Sequence, residues 1–256
     1  MNNSFLKFVQ EAMRVRRLLK PSDYGRWWWG VVRTMPAILR TKSLAPADEI
    51  FGGAFSYRHA GKLIHVENTS LGIIREIVGD ECYVARKDLA ECREVLDLGA
   101  NTGMFTLFAL SSEPDVRVHS VEAQRDFIPK IQRNLAGNGF ASRASVENAL
   151  VGGAHDAWAR ALRMQQPELP DFDVRRYLDR VGNCDLLKCD VEGAEYVLFD
   201  GDLGWTRQVS RISLEYHGQW ADGKLLADRL QQQGFAVSQR THGVLGYVNA
   251  RRKGSR

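Results

Sequence analysis

The feature that most restricts the fold is a strand that runs straight into a glycine turn and then a helix. Val95-Leu96-Asp97-Leu98 is apolar except for its acid, Gly99-Ala100-Asn101-Thr102-Gly103 follows, and Met104–Leu110 is apolar but for Thr106. The same alternation continues downstream. Strands are predicted at Val116–Val121, Ala144–Ala149, Asp185–Cys189 and Arg211–Tyr216, with helices at Asp126–Gly137, Val174–Arg180, Gly193–Phe199 and Ala221–Gln233. Strands alternating with helices at this spacing form a parallel sheet with helices on both faces. Two closing strands, around Phe235–Gln239 and Val244–Val248, flank a short Thr241-His242-Gly243 turn, which predicts an antiparallel pair. Residues 152–173 are polar, contain Pro167 and Pro170, and read as an excursion with a partly helical tip.

Ahead of this domain (residues 67–256) lies an extension, residues 1–66. A helix is predicted over residues 4–20, with Pro21-Ser22-Asp23 as a stop and new N-cap. A second helix follows over Tyr24–Thr41, with a break before Pro36. Alternation on either side of a glycine turn predicts a β-hairpin over residues 54–66, and a short helix follows at Leu71–Val78. Residues 1–45 hold nine Lys or Arg against two acids, so they carry +7 of a total of +4 and leave −3 for the rest. The basic character therefore belongs to the extension, which argues against a nucleic-acid partner for the whole chain. Trp27-Trp28-Trp29 must point three ways from a helix. Three readings stay open: a cap over the domain, a membrane-surface helix, or a platform for a sugar substrate.

Cys82, Cys92, Cys184 and Cys189 form no CxxC pair and no zinc spacing, so reduced thiols and a cytoplasmic setting, with or without a peripheral membrane contact, are expected. Neither a signal peptide nor a run of ~20 apolar residues is visible.

The glycine turn carries the chemistry. Gly99 and Gly103 permit close backbone approach to a ligand, and the helix start beyond them offers free N–H groups. Asp97 would repel a pyrophosphate but attract the amino or sulfonium cation of S-adenosylmethionine. Glu122 ends the next strand about twenty residues on, where a carboxylate accepts ribose hydroxyls. Asn148 and Ala149 end the third strand beside the expected adenine, with a turn role as the alternative for Asn148. The full GxGxxG of dinucleotide enzymes and the Lys-Ser/Thr of a P-loop are both missing.

Three segments together resemble the FkbM family of methyltransferases: Val95–Gly103, Val121-Glu122-Ala123, and Asp185-Leu186-Leu187-Lys188-Cys189-Asp190-Val191-Glu192-Gly193-Ala194-Glu195. Ser213-Leu214-Glu215-Tyr216-His217 resembles the family's next strand. The resemblance implies a class I, Rossmann-like α/β fold, S-adenosylmethionine as methyl donor, and O-methylation of a sugar, glycolipid or natural-product acceptor. It places Asp97, Gly99, Asn101 and Gly103 at the methionine end, Thr102 at the helix start, Glu122 on the ribose, and Asn148 with Ala149 at the adenine. Ala100, Ala123, Glu81 and Asp190 complete the expected donor-binding set. The family more often has Ile or Val where Thr102 stands, and Thr can still cap the helix.

An alcohol needs a base before it attacks a methyl group. Asp190, Glu192, Glu215 and His217 lie at the predicted strand ends and form the catalytic set, with His217 the natural proton acceptor. Glu195 reads as a solvated or internally paired acid. Asp190 with Glu215 could instead hold a divalent ion, but no spacing demands a metal. The alternatives are an amine or carboxylate acceptor, a nicotinamide oxidoreductase of similar sheet, and a scaffold without catalysis. Acceptor selectivity is expected in residues 1–65, the 152–173 excursion and the loop after His217. Neither the acceptor nor a homo-oligomeric state is encoded legibly.

Overall fold

The computed structural model describes residues 3–219, 222–242 and 245–254. The expected helix start at Ala221, the turn residue Gly243 and the strand start at Val244 lie outside them. The extension comprises α1 (Asn3–Leu18), α2 (Pro21–Thr41), α3 (Ala45–Ile50), the hairpin β1 (Phe55–His59) and β2 (Lys62–Val66), and α4 (Leu71–Ile74), which runs into a π-helical turn at Arg75–Gly79. The sheet domain follows as β3 (Glu94–Leu98), α5 (Met104–Ser112), β4 (Arg117–Glu122), α6 (Ile128–Gly137) and β5 (Ala144–Asn148). Next come β6 (Leu150–Val151), α7 (Ala157–Gln165), β7 (Asp171–Phe172), α8 (Val174–Val181), β8 (Cys184–Cys189) and α9 (Glu195–Leu198). The chain closes with β9 (Val209–His217), α10 (Gly223–Gln232), β10 (Phe235–His242) and β11 (Leu245–Arg252).

Seven strands form one sheet in the order β10-β11-β9-β8-β3-β4-β5. β3 pairs in parallel with β4 and with β8, opposing Leu98 to Val121 and to Cys189. From β3 the chain builds outward through β4 and β5, then returns across β3 to lay down β8 and β9. That reversal opens a crevice at the carboxyl ends of β3 and β8, where open α/β sheets bind ligands. The predicted antiparallel pair exists, and β11 sits between β9 and β10, opposing Leu245 to His217.

Side chains alternate across β3 as a two-residue period requires. Val95 belongs to one buried cluster, Leu96 and Leu98 to the other, and β8 divides the same way at Leu186 and Leu187. The first cluster runs through α5 into the extension, joining Phe105 and Phe108 to Leu19, Trp27, Tyr57 and Ile64. The second packs the opposite face against Tyr177, Leu178, Leu226 and Leu230. Every residue of α5 is buried, as expected of a helix apolar on all sides.

Within the extension, Trp27 is fully buried and donates its indole N–H to Asp48 (2.9 Å), which also binds Arg75. Arg75 reaches Glu11 as well (3.1 Å), so one polar knot ties α1, α2, α3 and the turn after α4. The three tryptophans do diverge: Trp27 is buried, Trp28 half-buried and Trp29 exposed. Helix α2 departs from expectation at two points. It begins at Pro21 with Lys20 in the N-cap position, so Asp23 is not the cap. A proline in the first turn has its φ preset for the helix. Nor does the helix break before Pro36, which lies inside it. Pro36 is on the exposed side, while Trp27, Val31 and Ile38 hold the buried side.

The two neighbouring tryptophans should separate cleanly in denaturant unfolding. Trp27→Ala is expected to cost about 3–5 kcal/mol through the cavity it leaves, and Trp29→Ala within about 0.5 kcal/mol of zero.

Candidate active site

The glycine turn is shaped by how closely it passes β8. Gly99 has φ +77°, and a Cβ there would lie 1.7 Å from the carbonyl oxygen of Asp190, so only hydrogen fits. Asp190 N–H donates to the Leu98 carbonyl (3.0 Å), while Gly99 and Ala100 both donate to the Val121 carbonyl (3.0 Å each). The end of β3 is thereby stitched to both neighbouring strands. Asn101, also left-handed at φ +51°, donates its N–H to one oxygen of Glu122 (2.7 Å), and Gln124 N–H binds the other (2.7 Å). Glu122 is buried, and burial raises its pKa against those two bonds.

These elements enclose a cleft whose walls include Gly99, Asn101, Glu122, Ala123, Ala149 and Asp190, six of the expected donor-binding residues. The other six do not reach it. Asp97 lies on the α5 side of the sheet, fully buried, accepting from the Thr106 hydroxyl (2.7 Å) and paired with Lys188 (3.2 Å). Lys188 also donates to the Gly99 carbonyl (2.7 Å). Asp97 therefore neutralises a buried lysine instead of fronting the cleft. Ala100 and Thr102 are buried behind the turn. Thr102 does not cap α5, because Gly103 at φ +85° takes that position with no side-chain cap, against Ile131. Asn148 donates its amide to the carbonyls of Glu122 and Ala123 (2.9 Å each), a strut behind the wall. Glu81 lines a separate groove of about 610 Å³ with Tyr83, Arg211 and Asn249, which contains none of the glycine-turn residues.

Among the cleft walls that sequence reasoning missed are Phe127, His155 and Trp158. The last two come from the excursion, which folds back through the two-residue pairing of β6 with β7 and places α7 at the rim. A buried carboxylate anchored by backbone N–H groups, beside apolar and aromatic walls, suits a ribose diol and a purine. The residues present fit an adenosyl group.

At the carboxyl ends of β8 and β9 two polar arrays meet. In the first, the Tyr83 hydroxyl lies 2.9 Å from Asp190 and 2.8 Å from Glu215. One hydroxyl carries one proton, so it can donate to only one carboxylate, and the other must itself be protonated to bond. Glu215 meets that requirement. Its pKa is raised to about 7, first by burial and then by the charge of Asp190. Tyr83 had no sequence signal, since it precedes the sheet in a segment without periodicity.

In the second array, fully buried Glu195 accepts from Gly193 N–H (2.8 Å) and from the backbone N–H and Nδ1 of His217 (3.2 and 3.3 Å). Of its two expected readings, internal pairing is the one observed. The far side of the imidazole, Nε2, is 3.2 Å from Glu192, which is held left-handed at φ +52°. The bond to Glu195 raises the pKa of His217 to about 9 against the opposing effect of burial, with Glu192 adding to it. Held between two acids, His217 is biased towards its protonated form, which counts against its expected role as the proton acceptor. Asp190, Glu192 and His217 offer atoms within 4.8 Å of one another, which could hold a divalent ion at the expense of that proton and of the Glu192–His217 pair.

The sign of the pH effect follows. The folded pKa of His217 lies above its ordinary 6.5, so its contribution to stability is complete below pH 6.5 and is lost as pH rises through about 9. Glu195→Gln should remove much of this slope. Unfolding free energies across that range should converge with those of the native protein as pH rises, and parallel curves would refute the pairing.

Residues 97–237 match the model of the methyltransferase FkbM domain. No curated protein matches the sequence. Structural alignment pairs the chain with an O-methyltransferase family protein from Burkholderia thailandensis, at 12% identity and TM-score 0.45 over 66% of this chain and 53% of that one, so this chain spans about half its length. It also aligns with precorrin-6y C5,15-methyltransferase from Geobacter metallireducens (16%, TM-score 0.42, 66% and 87% covered). A third alignment is with the N-terminal domain of EvdMO1 bound to SAH (17%, TM-score 0.43, 65% and 77% covered).

Proposed function

This chain belongs to the FkbM methyltransferase family, and from that premise we propose that its acceptor atom is a hydroxyl oxygen of a sugar, glycolipid or natural-product molecule. The enzyme is an S-adenosylmethionine-dependent methyltransferase of class I fold, which leaves no place for the nicotinamide alternative. When bound, S-adenosylmethionine supplies an electrophilic methyl carbon on sulfur. Glu122 would hold the ribose, Ala123, Ala149 and Phe127 would flank the adenine, and Gly99, Asn101 and Asp190 would hold the methionine end.

The single observation that favours a hydroxyl is the Asp190–Tyr83–Glu215 array. As the acceptor oxygen takes the methyl group, its proton must leave. Asp190, at the cleft wall, accepts it; once Glu215 has given up its own proton to solvent, the Tyr83 hydroxyl proton moves to Glu215 and Tyr83 takes the proton from Asp190. A proton store with a pKa near the working pH is best matched to this transfer. A carboxylate acceptor has no proton to lose, so such an array would serve nothing there. The His217 cation, fixed between Glu192 and Glu195, offsets the negative charge that collects in the array.

Donor binding is checked by calorimetry: S-adenosylmethionine and S-adenosylhomocysteine should bind and NAD should not. Turnover is checked by release of S-adenosylhomocysteine on a panel of sugars, glycolipids and natural-product alcohols. The rate should rise with pH through about 7, where Glu215 loses its proton. Tyr83→Phe should lower kcat by roughly 10²–10³-fold with product affinity nearly unchanged, and Asp190→Asn should abolish turnover in a folded protein. Independently of the acceptor, a protonated-carboxyl infrared band should titrate near pH 7 and vanish in Glu215→Gln. A band that persists in that variant would remove Glu215 from the array.

A further inference from the structure

Helix α2 buries one side against the extension and leaves the other with no partner among the described residues. Gly25, Trp29, Val32, Pro36 and Leu39 recur at steps of four and three residues, and all are exposed. That spacing puts them on one stripe of a helix. Trp29 is 63% exposed, Val32 58% and Leu39 72%. Beside the stripe runs a second row, Arg26, Arg33 and Arg40, repeating every seven residues, or two turns. Ile50 of α3, 52% exposed, joins the same surface, because it lines one shallow cavity together with Arg26, Trp29 and Arg33.

Two of the three arginine charges on this face are uncompensated. Neither Arg33 nor Arg40 pairs with an acid among the described residues. The one acid on α2, Asp23, already lies between Lys20 and Arg26 (3.6 Å each). Glu49 on α3 is the nearest acid in sequence to Ile50. A second copy docked here would bring arginine rows towards each other, which like charges oppose. A lipid surface bearing anionic headgroups complements both rows. An in-plane helix with a Trp- and Leu-bearing stripe flanked by arginines places its apolar side chains at the headgroup boundary and its cations among the phosphates.

We propose that the outer face of α2, with Ile50, docks the enzyme on an anionic membrane surface. None of these residues lines the donor cleft, so docking and donor binding fail independently. The test uses the full-length protein and co-sedimentation with vesicles of phosphatidylcholine alone or mixed with phosphatidylserine. The native protein should sediment with the mixed vesicles and remain in solution with phosphatidylcholine. Each arginine near an anionic surface contributes about fivefold in partitioning, so R33Q/R40Q should weaken binding by more than roughly tenfold. W29A/L39A should weaken it comparably by removing apolar insertion. Both variants should keep the native melting temperature and affinity for S-adenosylhomocysteine. A native protein that ignores phosphatidylserine, or variants that partition like the native protein, would overturn the proposal. So would light scattering in which W29A/L39A converts a dimer to a monomer without loss of vesicle binding, assigning the stripe to a second copy.

Discussion

The rest of the structure depends on one buried ion pair beneath the glycine turn. Lys188 on β8 reaches across to Asp97 on β3 and to the carbonyl of Gly99, so the two central strands are joined where the cleft begins. Taking both charges out of water is expensive, and removing one partner from such a pair typically costs about 3–5 kcal/mol. The pair therefore contributes position more than stability. It fixes the height at which Gly99 crosses Asp190, and that crossing is so close that no other residue could make it. Lys188 is 3.8 Å from Asp190 as well, so the same cation lies beneath the acid that faces the cleft.

Around this anchor the acids are divided by their partners. Asp97 is neutralised by Lys188 and Glu195 by His217, whereas Asp190 and Glu215 share the hydroxyl of Tyr83. Acids of nearly identical intrinsic chemistry thus acquire different surroundings: two pair with a buried lysine and a buried histidine, one lines the cleft, and one is pushed towards its protonated form by burial. Environments that push titratable groups apart in this way are a mark of reaction centres. Tyr83 itself is held by edge contacts with Phe105 and Tyr247, so the array reaches back into the apolar core.

The extension is tied to the same core. Its hairpin and helices share a buried cluster with α5, whose N-terminus is the far side of the glycine turn. Its inner face is fastened by Trp27, Asp48 and Arg75. What remains outward is the arginine-flanked stripe, a surface that packing has left unused.

Much of this was legible in the chain itself. Every strand of the sheet and the closing antiparallel pair were legible as short apolar or alternating runs between turn signals, because burial selects such runs in each strand separately. That Gly99, Asn101, Glu122, Ala149 and Asp190 share one cleft was legible for a related reason: in a parallel sheet, strand ends collect on one edge. The roles of Asp97, Thr102, Asn148 and His217 were not legible, nor was Tyr83 or the α7 wall. Each of these is decided by what lies across a strand or loop distant in sequence: Lys188 opposite Asp97, Gly103 in place of a Thr102 cap, the carbonyls behind Asn148, Glu195 beneath His217. Periodicity fixes which way a side chain points, but charge and protonation depend on neighbours that only the folded chain brings within about 3 Å of each other.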